Sequence, residues 1–155
     1  MAMFQAVVFK LNEKKYGVDI GYVNSIEKEQ KVIQVPNSST SIKGIVNLRG
    51  EVIPVVDLKT KFGLNYEDKE MTEMIIVNHG ESKLALEVDV VNEIHNIDAD
   101  DVVEMPIIAK GDGVDYFERV AKDKDDLIIM VNPDRLLSDA EADSVATVVE
   151  STSAE

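Results

Sequence analysis

Apolar runs a few residues long recur along the whole chain, each closed by Gly, Pro, Asn or charged residues, which is the pattern of strands joined by tight turns. Phe4–Leu11 is predicted as a first strand, with a turn at Asn12–Lys15 and a second strand at Tyr16–Ile20. Val23–Glu27 and Lys31–Val35 continue in extended form up to Pro36. The polar stretch Asn37–Ser41 reads as a loop that caps one short helical turn ending near Gly44. Ile45–Leu48, the turn Arg49-Gly50 and Glu51–Leu58 then form a β-hairpin. Pro54 donates no ladder hydrogen bond, so its strand is expected to carry it at an edge or a bulge. Lys59–Gly63 reads as one helical turn and Asn65–Thr72 as a polar link. Further strands follow at Met74–Asn78, Lys83–Asp89, Phe117–Lys122 and Leu127–Asn132. Val occurs 22 times and Ile 14 times against 9 Leu, a β-branched excess that favours strands over helices.

The tail differs. Leu136, Leu137, Ala140 and Val145 lie at roughly helical spacing, and Ser138 with Glu141 three residues later forms a capping-box pattern. A helix over about 136–149 is expected, with 150–155 as a frayed, polar end.

The chain also resembles itself. Shifted by 68 positions, Val8–Ile26 lies over Ile76–Ile94, and Glu13/Glu81, Lys15/Lys83, Val23/Val91, Asn24/Asn92 and Ile26/Ile94 are identical. Val52–Phe62 lies over Leu127–Leu137 at an offset of 75. These matches predict two β-rich units, about 4–66 and 72–137, each too small to be very stable alone. They are expected to pack together, share a core and leave a groove between them for a partner.

Composition narrows the function classes. No apolar run is long enough for a membrane-spanning helix, and the first ten residues have no signal-like core. The absence of Cys removes disulfides, thiolate-bound metals and thiol nucleophiles together. A cytoplasmic protein without cofactors is expected. Thirty acidic against 16 basic residues give a formal charge of −14, and no basic stripe suits nucleic acid or an anionic membrane. His79 and His95 are the only histidines, and both read as surface positions near strand ends. Asp98–Asp101 and Asp123–Asp126 lack the Gly and Glu spacing of a calcium loop and read as solvated turns. No phosphate loop, metal cluster or catalytic triad is recognisable. A binding module remains, with a nucleic-acid-binding double β-barrel as the alternative supported by fold type alone.

The stretch Ile42-Lys-Gly-Ile-Val-Asn-Leu-Arg-Gly-Glu-Val-Ile-Pro-Val-Val-Asp-Leu58, followed by Lys61-Phe62-Gly63, closely resembles the signature of the CheW family. Phe9-Lys-Leu, Tyr16-Gly-Val-Asp-Ile20, Val23, Ile26, Leu86-Glu-Val-Asp89, Val91 and Ile94 match it in order and spacing, so the resemblance covers about residues 4–140. It implies an all-β fold of two packed SH3-like five-stranded barrels with short helices and a terminal helix. It also implies a non-enzymatic adaptor, recruited to membrane-associated receptor arrays, that couples chemoreceptor cytoplasmic tips to the regulatory domain of the histidine kinase CheA.

The resemblance places the interface on Val23, Ile26, Gly44, Arg49, Gly50, Val91 and Ile94. Arg49 opens the hairpin turn and exposes a planar guanidinium suited to a carboxylate at a fixed interface. Gly44 and Gly50 supply backbone freedom or close approach. Val23, Ile26, Val91 and Ile94 hold matching places in the two halves and are expected to line walls of the groove. The resemblance implies an acidic residue, carried by many relatives, at the position of Ser25, near enough to pair with the hairpin Arg; here that place is Ser25, which leaves the partner of Arg49 open, with Glu27 as a candidate substitute.

Overall fold

The computed structural model describes residues 3–28, 30–34, 42–64, 71–104, 117–124 and 126–136. The expected helix over 136–149 and the end 150–155 lie, apart from Leu136, outside the described residues. Among the described residues, eleven strands form two sheets. In chain order they are β1 (Met3–Leu11), β2 (Lys14–Asp19), β3 (Val23–Lys28), β4 (Ile42–Leu48), β5 (Glu51–Asp57), β6 (Glu73–His79), β7 (Ser82–Val88), β8 (Val90–Asp98), β9 (Val102–Glu104), β10 (Phe117–Asp123) and β11 (Asp126–Val131). A single helical turn, α1 (Leu58–Lys61), follows β5.

The six-stranded sheet has the order β8-β1-β2-β11-β10-β9, and the five-stranded sheet the order β3-β6-β7-β5-β4. The β1–β2 hairpin therefore sits among strands of the second half, and the β6–β7 hairpin among strands of the first. Both sheets draw strands from 4–66 and from 72–137, so they do not follow that division. Parallel pairs seat both exchanged hairpins, β2 on β11 through Tyr16↔Ile129 and β7 on β5 through Val55↔Ala85. A two-residue hairpin turn cannot make a parallel pair, which needs a longer crossover; here the exchange supplies it.

The internal repeat reappears in the ladder registers. The bulge between Val23↔Val77 and Ser25↔Ile76 in β3–β6 has its counterpart between Val91↔Phe9 and Glu93↔Val8 in β8–β1. The bulge beside Ile42↔Val56 and Gly44↔Val55 recurs beside Phe117↔Val131 and Arg119↔Met130. Such shared irregularities bend the strands at equivalent places and curl each sheet towards closure. The ends are brought together by the chain that follows β3 and β8. In one sheet the bridge Ile33↔Ile45 joins β4; in the other, β9 joins β10 through Val103↔Val120.

Three apolar clusters result. Val46, Ile53, Val55, Met74, Ile76 and Ala85 fill one barrel. Ala6, Val8, Ile97, Ala121, Ile128 and Met130 fill the other. The largest cluster combines the opposite faces of both exchanged hairpins, Val7, Phe9, Leu11, Tyr16 and Val18 from one and Ile75, Val77, Leu84, Leu86 and Val88 from the other. Here Tyr16 stacks on Phe9 with centroids 6.0 Å apart, leans on Phe62 at 5.5 Å, and Phe62 meets Phe117 edge-on at 4.6 Å. Burial pushes the Tyr16 hydroxyl pKa up.

Several expectations change. Ile42–Gly44 belong to β4 rather than to a helical turn, because they pair with Val55 and Val56. Lys31–Val35 yields one bridge at Ile33 among its described residues instead of a strand. Strand β8 lies where the apolar pattern predicts none; its polar alternation Asn92-Glu-Ile-His-Asn96 is that of a half-solvated strand, paired among the described residues with β1 alone. Pro54 lies in an interior strand, between β4 and β7. It is tolerated because pairing with β7 starts at Val55, so the missing N–H breaks no ladder bond there.

Gly44 is buried, and a Cβ on it would lie 2.2 Å from the Ile33 carbonyl oxygen. Gly50 has φ +86° and open space around it. Gly44→Ala is therefore expected to push residues 32–33 off β4 at a cost of roughly 2 kcal/mol or more, lowering the melting temperature by about 4–8 °C. Gly50→Ala is expected to cost about 1 kcal/mol, from left-handed strain alone. Parallel thermal melts of the two variants check the order.

Candidate functional site

The β4–β5 hairpin closes at Leu48↔Glu51 with two residues at its tip, Arg49 at φ 51° and Gly50 at φ 86°. Two consecutive left-handed residues match the right-handed twist of the flanking strands. Asn47 Oδ1 accepts the Gly50 N–H at 2.9 Å and braces the turn. A non-glycine residue in this conformation is held there by its surroundings, so the Arg49 side chain leaves the tip in a set direction.

Arg49 is 71% exposed, and its Nη1 and Nη2 lie 2.9 and 2.8 Å from the same Glu27 oxygen, Oε1. Glu27 lies on β3, so the pair ties the hairpin tip to the far end strand of the sheet. The Ser25 hydroxyl is buried and meets no hydrogen-bond partner among the described residues. Glu27, two residues along the same strand, is the carboxylate that pairs with Arg49.

The other barrel closes the equivalent seam with different chemistry. Residues 27 and 95 correspond at the offset of 68, and His95 Nδ1 lies 2.9 Å from Asp123 Oδ2 at the β10–β11 tip. Its Nε2 lies 2.8 Å from Glu93 Oε1. The His95 side chain is only 18% exposed, so the surface reading of this histidine is corrected: it is a half-buried link between β8 and β10. Asp123 and Asp126 are likewise paired, with His95 and Lys15, rather than merely solvated.

The four matched apolar residues divide into two kinds. Val23 and Val91 are half-buried against the core between the barrels. Ile26 and Ile94 are 39% and 49% exposed. Ile26 lies on an end strand of one sheet and Ile94 on an end strand of the other. Gly44 is buried under Ile33, which makes it a packing residue rather than a contact for a partner. Arg49, Gly50, Ile26 and Ile94 remain accessible.

A buried polar node escaped the sequence reading. Lys59 Nζ lies 2.6 Å from Asp89 Oδ1, and both side chains are almost wholly buried. The Asp89 Oδ2 accepts the Asn12 N–H at 2.8 Å, and its own N–H donates to the Lys10 carbonyl at 3.2 Å. Oδ1 accepts no well-aligned hydrogen bond, so the Lys59 contact is chiefly Coulombic. The node holds α1, the β1–β2 turn and the β7–β8 corner together. Nothing in the local pattern marks Lys59 as buried, since every other described lysine is at least partly exposed. Among the described residues, no three His, Asp or Glu side chains gather as a metal site.

Comparison with known proteins points one way. The family model described as "CheW-like domain" matches residues 5–141. The chain is 31% identical to the chemotaxis protein CheW of Treponema pallidum (strain Nichols) over 150 residues, covering 94% of this chain and 88% of that one. It is 30% identical to the chemotaxis protein CheW of Bacillus subtilis (strain 168) over 132 residues, covering 84% and 85%. Among solved structures, the scaffolding protein TtCheW from Thermoanaerobacter tengcongensis superposes with a TM-score of 0.83 at 33% identity, covering 90% of this chain and 96% of that one.

Removing one partner of the buried node leaves an uncompensated charge. Asp89→Ala is expected to destabilise by about 3 kcal/mol or more, and the double variant Lys59→Met/Asp89→Leu by clearly less. Urea unfolding midpoints of the single and double variants check the difference.

Proposed function

The chain belongs to the CheW-like domain family, and on that premise we propose that it is a non-enzymatic scaffold of chemotaxis signalling that couples chemoreceptor cytoplasmic tips to the histidine kinase CheA. The observation that carries the reading is the hairpin tip, where a strained turn and an ion pair to Glu27 set an exposed Arg49 in a defined pose. A scaffold requires such preorganisation, because side chains already ordered lose less entropy when a partner arrives. The exposed Ile26, next to Glu27 on β3, projects from the opposite face of that strand and offers a separate apolar contact. Interface hot spots commonly combine an Arg with apolar surroundings that exclude water.

The proposed partners are the CheW-like regulatory domain of the kinase and the helical tip of a receptor. Ile26 and Ile94, exposed on end strands of different sheets, are the apolar contacts offered to these partners. Recruitment to membrane-associated arrays belongs to the same proposal and goes through the receptors: among the described residues, no helix is long and apolar enough to cross a membrane.

Arg49→Ala is expected to leave folding nearly intact, since an exposed ion pair contributes about 0–1 kcal/mol. Affinity for a receptor fragment or the kinase regulatory domain is expected to fall by about thirtyfold, equivalent to roughly 2 kcal/mol. Arg49→Lys is expected to restore part of it, because the charge stays and the fork is lost. Calorimetric titration with each partner, with circular dichroism as folding control, tests the reading; unchanged affinity for both partners removes Arg49 from the surface.

A further inference from the structure

A groove opens on the six-stranded barrel between the β1–β2 turn and the β10–β11 hairpin, with a volume near 520 Å³. Its floor is apolar: Val120, Leu127 and Ile129 line it, and Leu127 is 63% exposed. The register pairs Val120 with Ile129, so both side chains stand on one face of the hairpin. Lys10, Lys14 and Lys15 form its rim, together with the carboxylates of Glu13 and Asp126.

The repeat supplies an internal control. Lys15–Asp126, at 2.7 Å, corresponds through the offsets of 68 and 75 to Lys83–Glu51, at 2.9 Å, on the other barrel. Beyond that shared pair the two places differ. Lys10 and Lys14 correspond to the uncharged Asn78 and Ser82, the exposed Leu127 to the half-buried Val52, and Ile129 to the buried Pro54. One barrel has therefore gained two cations and an exposed aliphatic side chain where the other has neither. Lys15 is neutralised by Asp126, whose carboxyl the hydrogen bond from Lys15 holds below its ordinary pKa. Lys10 and Lys14 make no ion pair with any described residue.

We propose that this groove docks an acidic amphipathic protein segment, with aliphatic side chains on Leu127 and Ile129 and carboxylates facing Lys10 and Lys14. The choice of an acidic partner rests on charge complementarity. The chain as a whole carries a formal charge of −14, yet at physiological salt the screening length is about 8 Å, so a docked segment feels chiefly the rim, where Lys10, Lys14 and Lys15 outnumber Glu13 and Asp126 by one. The exposed Leu127 adds the apolar area that a purely electrostatic contact lacks. The site contains none of the residues assigned to receptor and kinase coupling and goes beyond that reading.

The test uses the full chain and three labelled synthetic peptides of equal length, a Glu/Leu amphipathic helix, its Lys/Leu counterpart and a Glu/Ser version without anchors. Fluorescence anisotropy is expected to show binding of the Glu/Leu peptide alone, weakening as salt rises. Lys10→Glu/Lys14→Glu and Leu127→Ser are each expected to reduce that affinity by about tenfold, equivalent to 1.4 kcal/mol. Lys83→Glu, at the counterpart place on the other barrel, is expected to leave it unchanged. All four substituted positions are on the surface, and circular dichroism confirms folding. Equal binding of the Lys/Leu or Glu/Ser peptide, or affinity untouched by both groove variants, overturns the proposal. So does a preference for anionic phosphatidylserine vesicles over the Glu/Leu peptide.

Discussion

Neither half of the repeat closes a barrel from its own strands, because β1 and β2 leave for the opposite sheet and β6 and β7 arrive in their place. Both barrels are completed by one parallel contact, β2 on β11 and β5 on β7, each between strands far apart in sequence. The two hairpins that cross over also turn their outer faces towards each other. Phe9, Tyr16 and Val18 thereby meet Val77, Leu84 and Leu86 in the largest apolar cluster. Separating the barrels would open that cluster and unpair both sheets at once. The two units therefore behave as one folding unit, and the short lengths of the halves are no handicap.

This arrangement explains where the accessible chemistry lies. Strands that carry the exchange are covered on both sides, whereas β3, β8 and the tips of the β4–β5 and β10–β11 hairpins stay at the surface. The seam between hairpin tip and end strand needs an electrostatic link in both barrels. One uses Arg49 with Glu27; the other has Asp123 at the tip and the His95 imidazole on the strand. Equivalent geometry thus carries different charge, so the two barrels offer different surfaces to partners. The buried Lys59–Asp89 contact breaks the symmetry further. At the offsets of 75 and 68, its counterparts are Asp134 and Gly21, which cannot form the same pair.

Membership in the CheW-like family and the preformed Arg49 tip support the same reading from separate directions. The family match says what kind of protein this is, and the tip shows how a β-hairpin presents a charged group in a defined pose. A left-handed residue at the apex costs backbone strain, and the brace from Asn47 together with the ion pair to Glu27 offsets it locally.

The β-branched excess, the short apolar runs and the turns at Asn12–Glu13 and Arg49-Gly50 determined the all-β class and most strands, because these signals are local. The offset of 68 also foretold that Val23 matches Val91 and Ile26 matches Ile94, which the identical bulges bear out. Three things were decided only by tertiary structure. Which sheet a hairpin joins depends on parallel contacts between distant strands, and period-two alternation carries no address for its partner. The burial of Gly44 beneath Ile33 depends on a bridge from a segment whose own pattern reads as an independent strand. The burial of Lys59 depends on Asp89 thirty positions away, and a lone lysine in sequence has the same appearance whether it meets water or a carboxylate.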